Sequence, residues 1–95
     1  GVKIGIFAGS DRTASELYRF LQTRLPGIAI GPSGIPVVGY DNQNFGEWLN
    51  PPLTTIDQPF EELGRLAMRS LIDSIYQRQV ESLTLPPTLI KRQSA

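Results

Sequence analysis

Two short apolar runs dominate the first half of the chain, and each ends at a polar turn. Residues 2–7 form the first run, which ends at Ser10 and Asp11, and residues 35–40 form the second, which ends at Asp41 and Asn42. Apolar runs of this length between turn residues are typical of strands that are buried on both faces. Two buried strands are therefore predicted.

An amphipathic helix is predicted between these strands. Ser10 or Asp11 can cap its start, and Thr13 with Glu16 forms a possible capping box one turn later. A Pro-Gly pair at residues 26–27 ends it. The apolar positions follow the helical period along one face, and they are Ala14, Leu17, Tyr18, Leu21 and Leu25.

Strand, helix and strand within about 40 residues make a parallel βαβ unit. Both strands then finish at one edge of the sheet, which is where open α/β folds bind ligands. This edge carries residues 10–11 and 41–42. The pattern predicts an α/β fold with a parallel sheet flanked by helices.

The second half of the chain predicts a third strand at residues 53–56, a long helix at 59–79 and a final extended stretch at 83–92, at best an edge strand. Gly64 lies inside the helix, where glycine costs roughly 1 kcal/mol relative to alanine. A close approach to a neighbour or a ligand would explain it. The predicted core stripe is Leu63, Ala67, Leu71 and Ile75, flanked by Phe60, Met68 and Ile72.

Composition removes several classes of function. The 95 residues carry nine basic and nine acidic side chains, scattered along the chain, so no basic stripe indicates nucleic acid or an anionic membrane. The chain has no cysteine and no histidine, which removes thiolate metal sites and the commonest proton-transfer group. No signal peptide or membrane span is recognisable. A soluble, cytoplasmic protein is expected.

The residues present give little support to an enzymatic function. The sequence lacks the serine nucleophile elbow and both glycine-rich phosphate-binding motifs. A glycosidase-like pair formed by Asp11 and Asp41 is the enzymatic alternative that remains. The expectation is a protein that is not an enzyme and needs no cofactor.

Several phrases together resemble the LacI/GalR family of transcriptional repressors. Residues 7–11 read FAGSD, similar to the family's F-x-x-N-D, and residues 37–42 read VVGYDN. PPLTTIDQP at residues 51–59, followed by Leu-Gly at 63–64, and the ending LPPTLIKRQSA at 85–95 are also similar to family phrases. The resemblance covers essentially the whole chain.

The resemblance implies a Rossmann-like, type I periplasmic-binding-protein-like subdomain. Residues 1–95 would be the C-terminal portion of the effector-binding domain, with the DNA-binding headpiece and the N-terminal subdomain absent. One departure is the loop at residues 27–35, which is one residue longer than the common family pattern.

The resemblance assigns effector binding to Asp41, whose carboxylate can accept hydrogen bonds from two adjacent sugar hydroxyls. It assigns the same role to Ser10, which replaces the family's asparagine, and to Asp11. The alternatives are structural: Asp41 caps its turn, and Ser10 and Asp11 are N-caps. Gln58 and Phe60 match pocket positions at the start of the long helix.

Leu63 completes this pocket set, although plain helix core is the alternative for it. The resemblance also implies a homodimer. Its interface is assigned to the helix after residue 11 and to the segment before residue 51, and the alternative there is a mixed surface and core role. The interface candidates are Ser15, Tyr18, Phe45, Trp48 and Leu49.

The function implied is that of a sensor for a sugar-class or nucleoside-class small molecule within a dimeric repressor. Operator DNA would be bound by the missing headpiece rather than by this chain, and no membrane partner is expected. The alternative is a periplasmic-type sugar-binding protein of a transport system, which shares the fold and does not bind DNA.

Overall fold

A computed structural model describes residues 3–95, which form two compact units. The first unit comprises the described residues up to Asp57 together with Thr88–Ala95, and the second comprises Gln58–Pro87. The elements are β1 (Ile6–Phe7), α1 (Asp11–Arg24), β2 (Val37–Val38), a short 3-10 helix (Asn44–Trp48), β3 (Thr55–Asp57), α2 (Phe60–Ile75) and β4 (Thr88–Ile90).

The strands of the first unit join in chain order. β1 and β2 pair in parallel, with Ile6 opposite Val37. Val38 at the end of β2 forms a parallel bridge with Thr54, and β3 pairs antiparallel with β4. The predicted βαβ unit and the α/β fold class are therefore confirmed, and β4 is the edge strand that the sequence predicts.

Helix α1 packs its apolar face against the strands. Ala14 and Leu21 are at most 5% exposed, and they contact a core that contains Val37 and Leu53, both fully buried. Ser10 caps the helix, so the later capping box is not used. The helix ends at Arg24, as the Pro-Gly pair predicts.

The first strand differs from its prediction. Val2, at the start of the predicted run, lies outside the described residues, and β1 contains only Ile6 and Phe7. Phe7 is 64% exposed and Ile4 is 59% exposed. This exposure contradicts the expectation of burial on both faces, and within residues 3–95 β1 is hydrogen-bonded to a single neighbouring strand, β2.

The predicted core stripe of the long helix is also wrong. No residue of α2 is buried, and Leu71 and Ile75 are 56% and 67% exposed. Within the second unit the returning segment around Leu83 borders a groove that Leu63 and Ala67 of the stripe line together with Leu66 and Ser70. The apolar period indicates a helix correctly, but it does not show how much of the apolar face is covered.

The end of α2 and its glycine also differ from expectation. The helix stops at Ile75 because Gln77 adopts a left-handed conformation with φ of 57°, four residues after Asp73. Arg78 then donates a backbone hydrogen bond to the Asp73 carbonyl. A methyl group added at Gly64 meets no atom within 4 Å, so no neighbour in the described chain explains that glycine.

Ser94 joins β2 to the segment that precedes β3. Its hydroxyl donates to the Val37 carbonyl at 2.6 Å and accepts from the Thr54 amide at 2.7 Å, while its own carbonyl accepts from the Val37 amide at 2.8 Å. Ser94 is fully buried. The closing residues therefore complete the core of the first unit, a role that the apolar pattern does not reveal.

Tyr18 makes the stability of the first unit sensitive to alkaline pH. Its side chain is 3% exposed and its hydroxyl donates to the Pro51 carbonyl at 2.9 Å. Burial raises the pKa of Tyr18 above its usual value, and a polar contact with Ser94 opposes this rise. Since the unfolded chain loses the phenolic proton first, from about pH 10, the free energy of unfolding should fall as the pH rises above that value.

Tyr18→Phe is expected to cost about 1 kcal/mol at neutral pH through the lost hydrogen bond, and to weaken the alkaline decline. Urea denaturation at pH 7 and at several values above about 10 measures both effects. The control is Tyr76→Phe, because Tyr76 is 68% exposed. An unchanged alkaline slope in the Tyr18 variant would contradict the prediction.

Candidate functional site

The turns that follow β1 and β2 meet at the carboxyl edge of the sheet. The Asp11 amide donates to the Tyr40 carbonyl at 2.9 Å, and the Ala8 amide donates to the Val38 carbonyl at 2.8 Å. Residues 10–11 and 40–41 are therefore neighbours, as the parallel strands predict. This edge is the candidate functional site of the first unit.

Asp41 and Asn42 have left-handed backbones at this edge. Their φ angles are 106° and 54°, in a region that side-chain-bearing residues rarely adopt and that costs about 1–3 kcal/mol. The Asp41 amide donates to the Ile56 carbonyl at 2.8 Å, and the residue is partly exposed. The structure thus holds a carboxylate-bearing residue in a strained conformation at the predicted ligand edge.

Asp11 has a different environment. It is fully buried, one carboxylate oxygen accepts from the Gln43 amide at 2.7 Å, and the other accepts from the Thr55 hydroxyl at 2.5 Å. It is also the first residue of α1, where the helix dipole favours negative charge. These contacts favour a structural role, while ligand binding by Asp11 stays a prediction.

Ser10 is the N-cap of α1. Its hydroxyl oxygen accepts from the Thr13 amide at 3.1 Å, and the hydroxyl also lies 3.1 Å from Thr13 Oγ1. The capping alternative is thereby confirmed for Ser10. The residue is partly exposed, so a further contact with a ligand stays a prediction.

A polar network surrounds Asn42. Arg92 Nη2 donates to Asn42 Oδ1 at 2.9 Å, and Arg92 Nη1 donates to the Leu53 carbonyl at 2.9 Å. Asn42 in turn donates from its side-chain Nδ2 to Asp57 Oδ1 and from its backbone amide to the Thr55 hydroxyl, both at 3.3 Å. The sequence does not predict these contacts, because Arg92 lies 50 residues from Asn42.

The remaining ligand candidates belong to the second unit. Gln58 and Phe60 line a shallow groove at the start of α2, whereas Leu63 lines a different groove farther along. Glu62 and Arg65 also border the first groove, and their ion pair lowers the pKa of Glu62. The structure thus brings Gln58 and Phe60 together, and their role in effector binding stays a prediction.

The interface candidates fall into two groups. Trp48 is 81% exposed and Phe45 is 37% exposed, on the short 3-10 helix, while Ser15 and Leu49 are partly exposed. Tyr18 is buried in the core, which supports the core part of the alternative, while its contribution to a dimer interface stays a prediction. The burial of Tyr18 agrees with the apolar face that the helical period of α1 predicts.

Phe7 is a further candidate that sequence reasoning did not select. Its ring lies 6.3 Å from that of Tyr40, tilted by 52°, at the carboxyl edge. Apolar rings beside hydrogen-bonding groups are typical of small-molecule sites. The available signal was an aromatic residue at the last position of the first strand.

Residues 3–95 contain no group of three or more acidic side chains that can hold a metal ion. No helix within the same residues is both long and apolar enough to cross a membrane.

Comparison with known proteins identifies the family. The periplasmic binding protein-like domain family matches residues 3–95. The chain is 40% identical over 92 residues to the ribose operon repressor of Escherichia coli K12. The aligned region covers 95% of this chain and 27% of that repressor. The chain thus spans about a quarter of the length of this relative.

Solved structures agree with this match. A LacI family transcriptional regulator from Enterococcus faecalis V583, with bound ribose, is 42% identical with a TM-score of 0.82, over 96% of this chain and 34% of that one. The lac repressor dimer bound to operator and an anti-inducer is 31% identical with a TM-score of 0.83, over 95% and 31%. The resemblance to LacI/GalR-family repressors is confirmed, and the chain belongs to the periplasmic binding protein-like domain family.

Proposed function

We propose that residues 1–95 are the C-terminal portion of the effector-binding domain of a LacI-type transcription regulator. The match to about a quarter of a repressor supports the view that these residues are one part of a longer regulator. In this proposal the chain senses a small molecule and contributes to a homodimer interface, without catalytic activity. The regulator acts in the cytoplasm, and operator DNA is bound by a headpiece outside these residues.

The conformation of Asp41 is the observation that carries the ligand-binding role. Backbone strain persists where the surrounding structure over-determines it, and such residues cluster at binding sites. A carboxylate at this edge can bind two adjacent hydroxyls of a sugar through charge-assisted hydrogen bonds. Within this proposal the effector is a pentose, because one structural neighbour holds ribose and one relative is a ribose operon repressor.

Asp41→Asn is expected to weaken binding of D-ribose by about 10–100-fold, which corresponds to about 1.5–3 kcal/mol for a lost charge-assisted hydrogen bond. Asparagine tolerates the left-handed backbone, so the fold should survive the change. The affinity is measured by isothermal titration calorimetry on the full-length polypeptide that carries residues 1–95. Adenosine is titrated as the nucleoside-class probe.

Asp73→Asn is the matched control, because Asp73 lies on α2 in an ion pair with Arg78 and the change removes the same charge. It should leave ribose affinity unchanged. Equal affinity in the wild type and the Asp41 variant, for whichever probe binds, would overturn the assignment of Asp41 to the ligand.

The DNA-dependent part of the proposal has a separate test. Fluorescence anisotropy of the full-length polypeptide on its own upstream DNA should show salt-dependent binding that the bound sugar changes at least ten-fold, about 1.4 kcal/mol of coupling. Sugar binding with no DNA affinity at any salt concentration would favour the alternative, a sugar-binding protein of a transport system. The similarity to a ribose operon repressor and to LacI family regulators favours the repressor over that alternative.

The contacts of Asp11 argue against the glycosidase-like pair. A catalytic pair needs both carboxyl groups beside the scissile bond. Both oxygens of Asp11 already accept hydrogen bonds from the protein, and the residue is fully buried. A sensor therefore accounts for the edge better than an enzyme does.

A further inference from the structure

The strained turn at Asp41 needs a restraint on the residue that follows it. Asn42 is also left-handed, and two consecutive residues in this region are costly unless the surroundings hold them. The side-chain amide of Asn42 is bonded on both sides, from Arg92 to its oxygen and from its nitrogen to Asp57. The turn is therefore held by side chains from β3 and from the segment after β4.

Arg92 provides the more specific of these two restraints. Its guanidinium donates simultaneously to Asn42 Oδ1 and to the Leu53 carbonyl, both at 2.9 Å. Its own backbone amide donates to Thr54 Oγ1 at 2.9 Å, which fixes where the side chain starts. A planar guanidinium has its donors at fixed angles, so it ties the Asn42 side chain to the backbone of the segment that precedes β3 at a defined distance.

Arg92 also lies close to the short 3-10 helix. A methyl group added at the buried Gly46 would be in ordinary van der Waals contact with Nη1, at 3.4 Å. Arg92 itself is partly buried, so its hydrogen bonds are less screened by water than those of surface arginines. The geometry favours a fixed arginine over a mobile surface side chain.

We propose that Arg92 is a positioning residue for the effector site, which holds Asn42 and thereby sets the direction of the Asp41 carboxylate. This inference rests on the proposed function of Asp41 and goes beyond it, since Arg92 itself need not touch the ligand. Its effect on sugar affinity passes through the turn. Loss of Arg92 should therefore matter only while the Asp41 carboxylate is present.

A double-mutant cycle on the full-length polypeptide tests this dependence. Arg92→Met is expected to weaken D-ribose binding about ten-fold in the wild-type background and less than about two-fold in the Asp41→Asn background. Arg92→Lys should recover only part of the affinity, because an ammonium group cannot reproduce the planar fork. Lys91→Met is the matched control, as it removes an adjacent, exposed positive charge.

Asn42→Gly keeps the test valid if the arginine variants unfold. Glycine accepts the left-handed backbone without strain but removes the amide that Arg92 holds. It should weaken ribose binding about as much as Arg92→Met does, and the unfolding midpoint of each variant is measured without sugar. Affinity loss that tracks the loss of stability alone would overturn the inference.

Failure of the inference and failure of the proposed function give different results. If Asp41→Asn leaves ribose binding intact, the site assignment itself fails. If Asp41→Asn weakens binding and Arg92→Met weakens it equally in both backgrounds, Arg92 acts independently of Asp41. In that case only the positioning role is overturned.

Discussion

Replacing Asp11 by alanine is expected to destabilise the first unit by about 3–5 kcal/mol. The change leaves two donors without their acceptor, the amide of Gln43 and the hydroxyl of Thr55. Each unsatisfied donor costs about 1–3 kcal/mol when it is shielded from water, and a cavity adds to this. Favourable charge at the start of α1 is lost as well.

Asp11→Asn should cost less, about 1–2 kcal/mol, because an amide oxygen can still accept from Gln43 while the Thr55 hydroxyl rotates to accept. Urea denaturation followed by circular dichroism measures both variants. Glu16→Gln is the control, because Glu16 is exposed on the same helix and should change stability by less than about 0.5 kcal/mol. Loss in the alanine variant no greater than in this control would contradict the structural role of Asp11.

The first half of the fold could be predicted because its signals are local. The helical period of α1, its Ser10 cap and the Pro-Gly stop all lie within one element, and each is confirmed. The parallel pairing of β1 with β2 follows from the βαβ order. The meeting of the two turns at the carboxyl edge follows from that pairing.

In the second half of the chain, the hydrophobic pattern predicts the helix but not which of its residues are covered. The period of α2 indicates an apolar face, but the stripe with Leu71 and Ile75 is exposed in this structure. Whether an apolar face is covered depends on what packs against it, and the period of the helix carries no information about that. Leu66 and Ser70 are partly buried instead, beside the returning segment.

The polar contacts were not predictable for a different reason. Asp11 and Thr55 are 44 residues apart, and Ser94 and Val37 are 57 apart. In a sequence, a polar residue that is buried and hydrogen-bonded looks the same as one that is exposed to solvent, until its partner is known. The candidate site could therefore be placed at the correct edge through Asp41, while the supporting contacts of Arg92 could not.

Gly39→Ala is expected to destabilise the first unit by about 3 kcal/mol. The new methyl group would lie 2.3 Å from Asp11 Oδ1 and 2.8 Å from Leu53 Cδ2. Asp11 is held by two hydrogen bonds and Leu53 is fully buried, so neither can move away cheaply. Urea denaturation of the variant measures the cost.

Gly64→Ala is the matched control, because the same methyl group added in α2 meets no atom within 4 Å. This variant should be more stable by up to about 1 kcal/mol, since alanine is the better helix former. Combining Gly39→Ala with Asp11→Ala should cost less than the sum of the two single changes, because removing the carboxylate makes room for the methyl group. Strict additivity of the two costs would show that Gly39 is constrained by something other than its contact with Asp11.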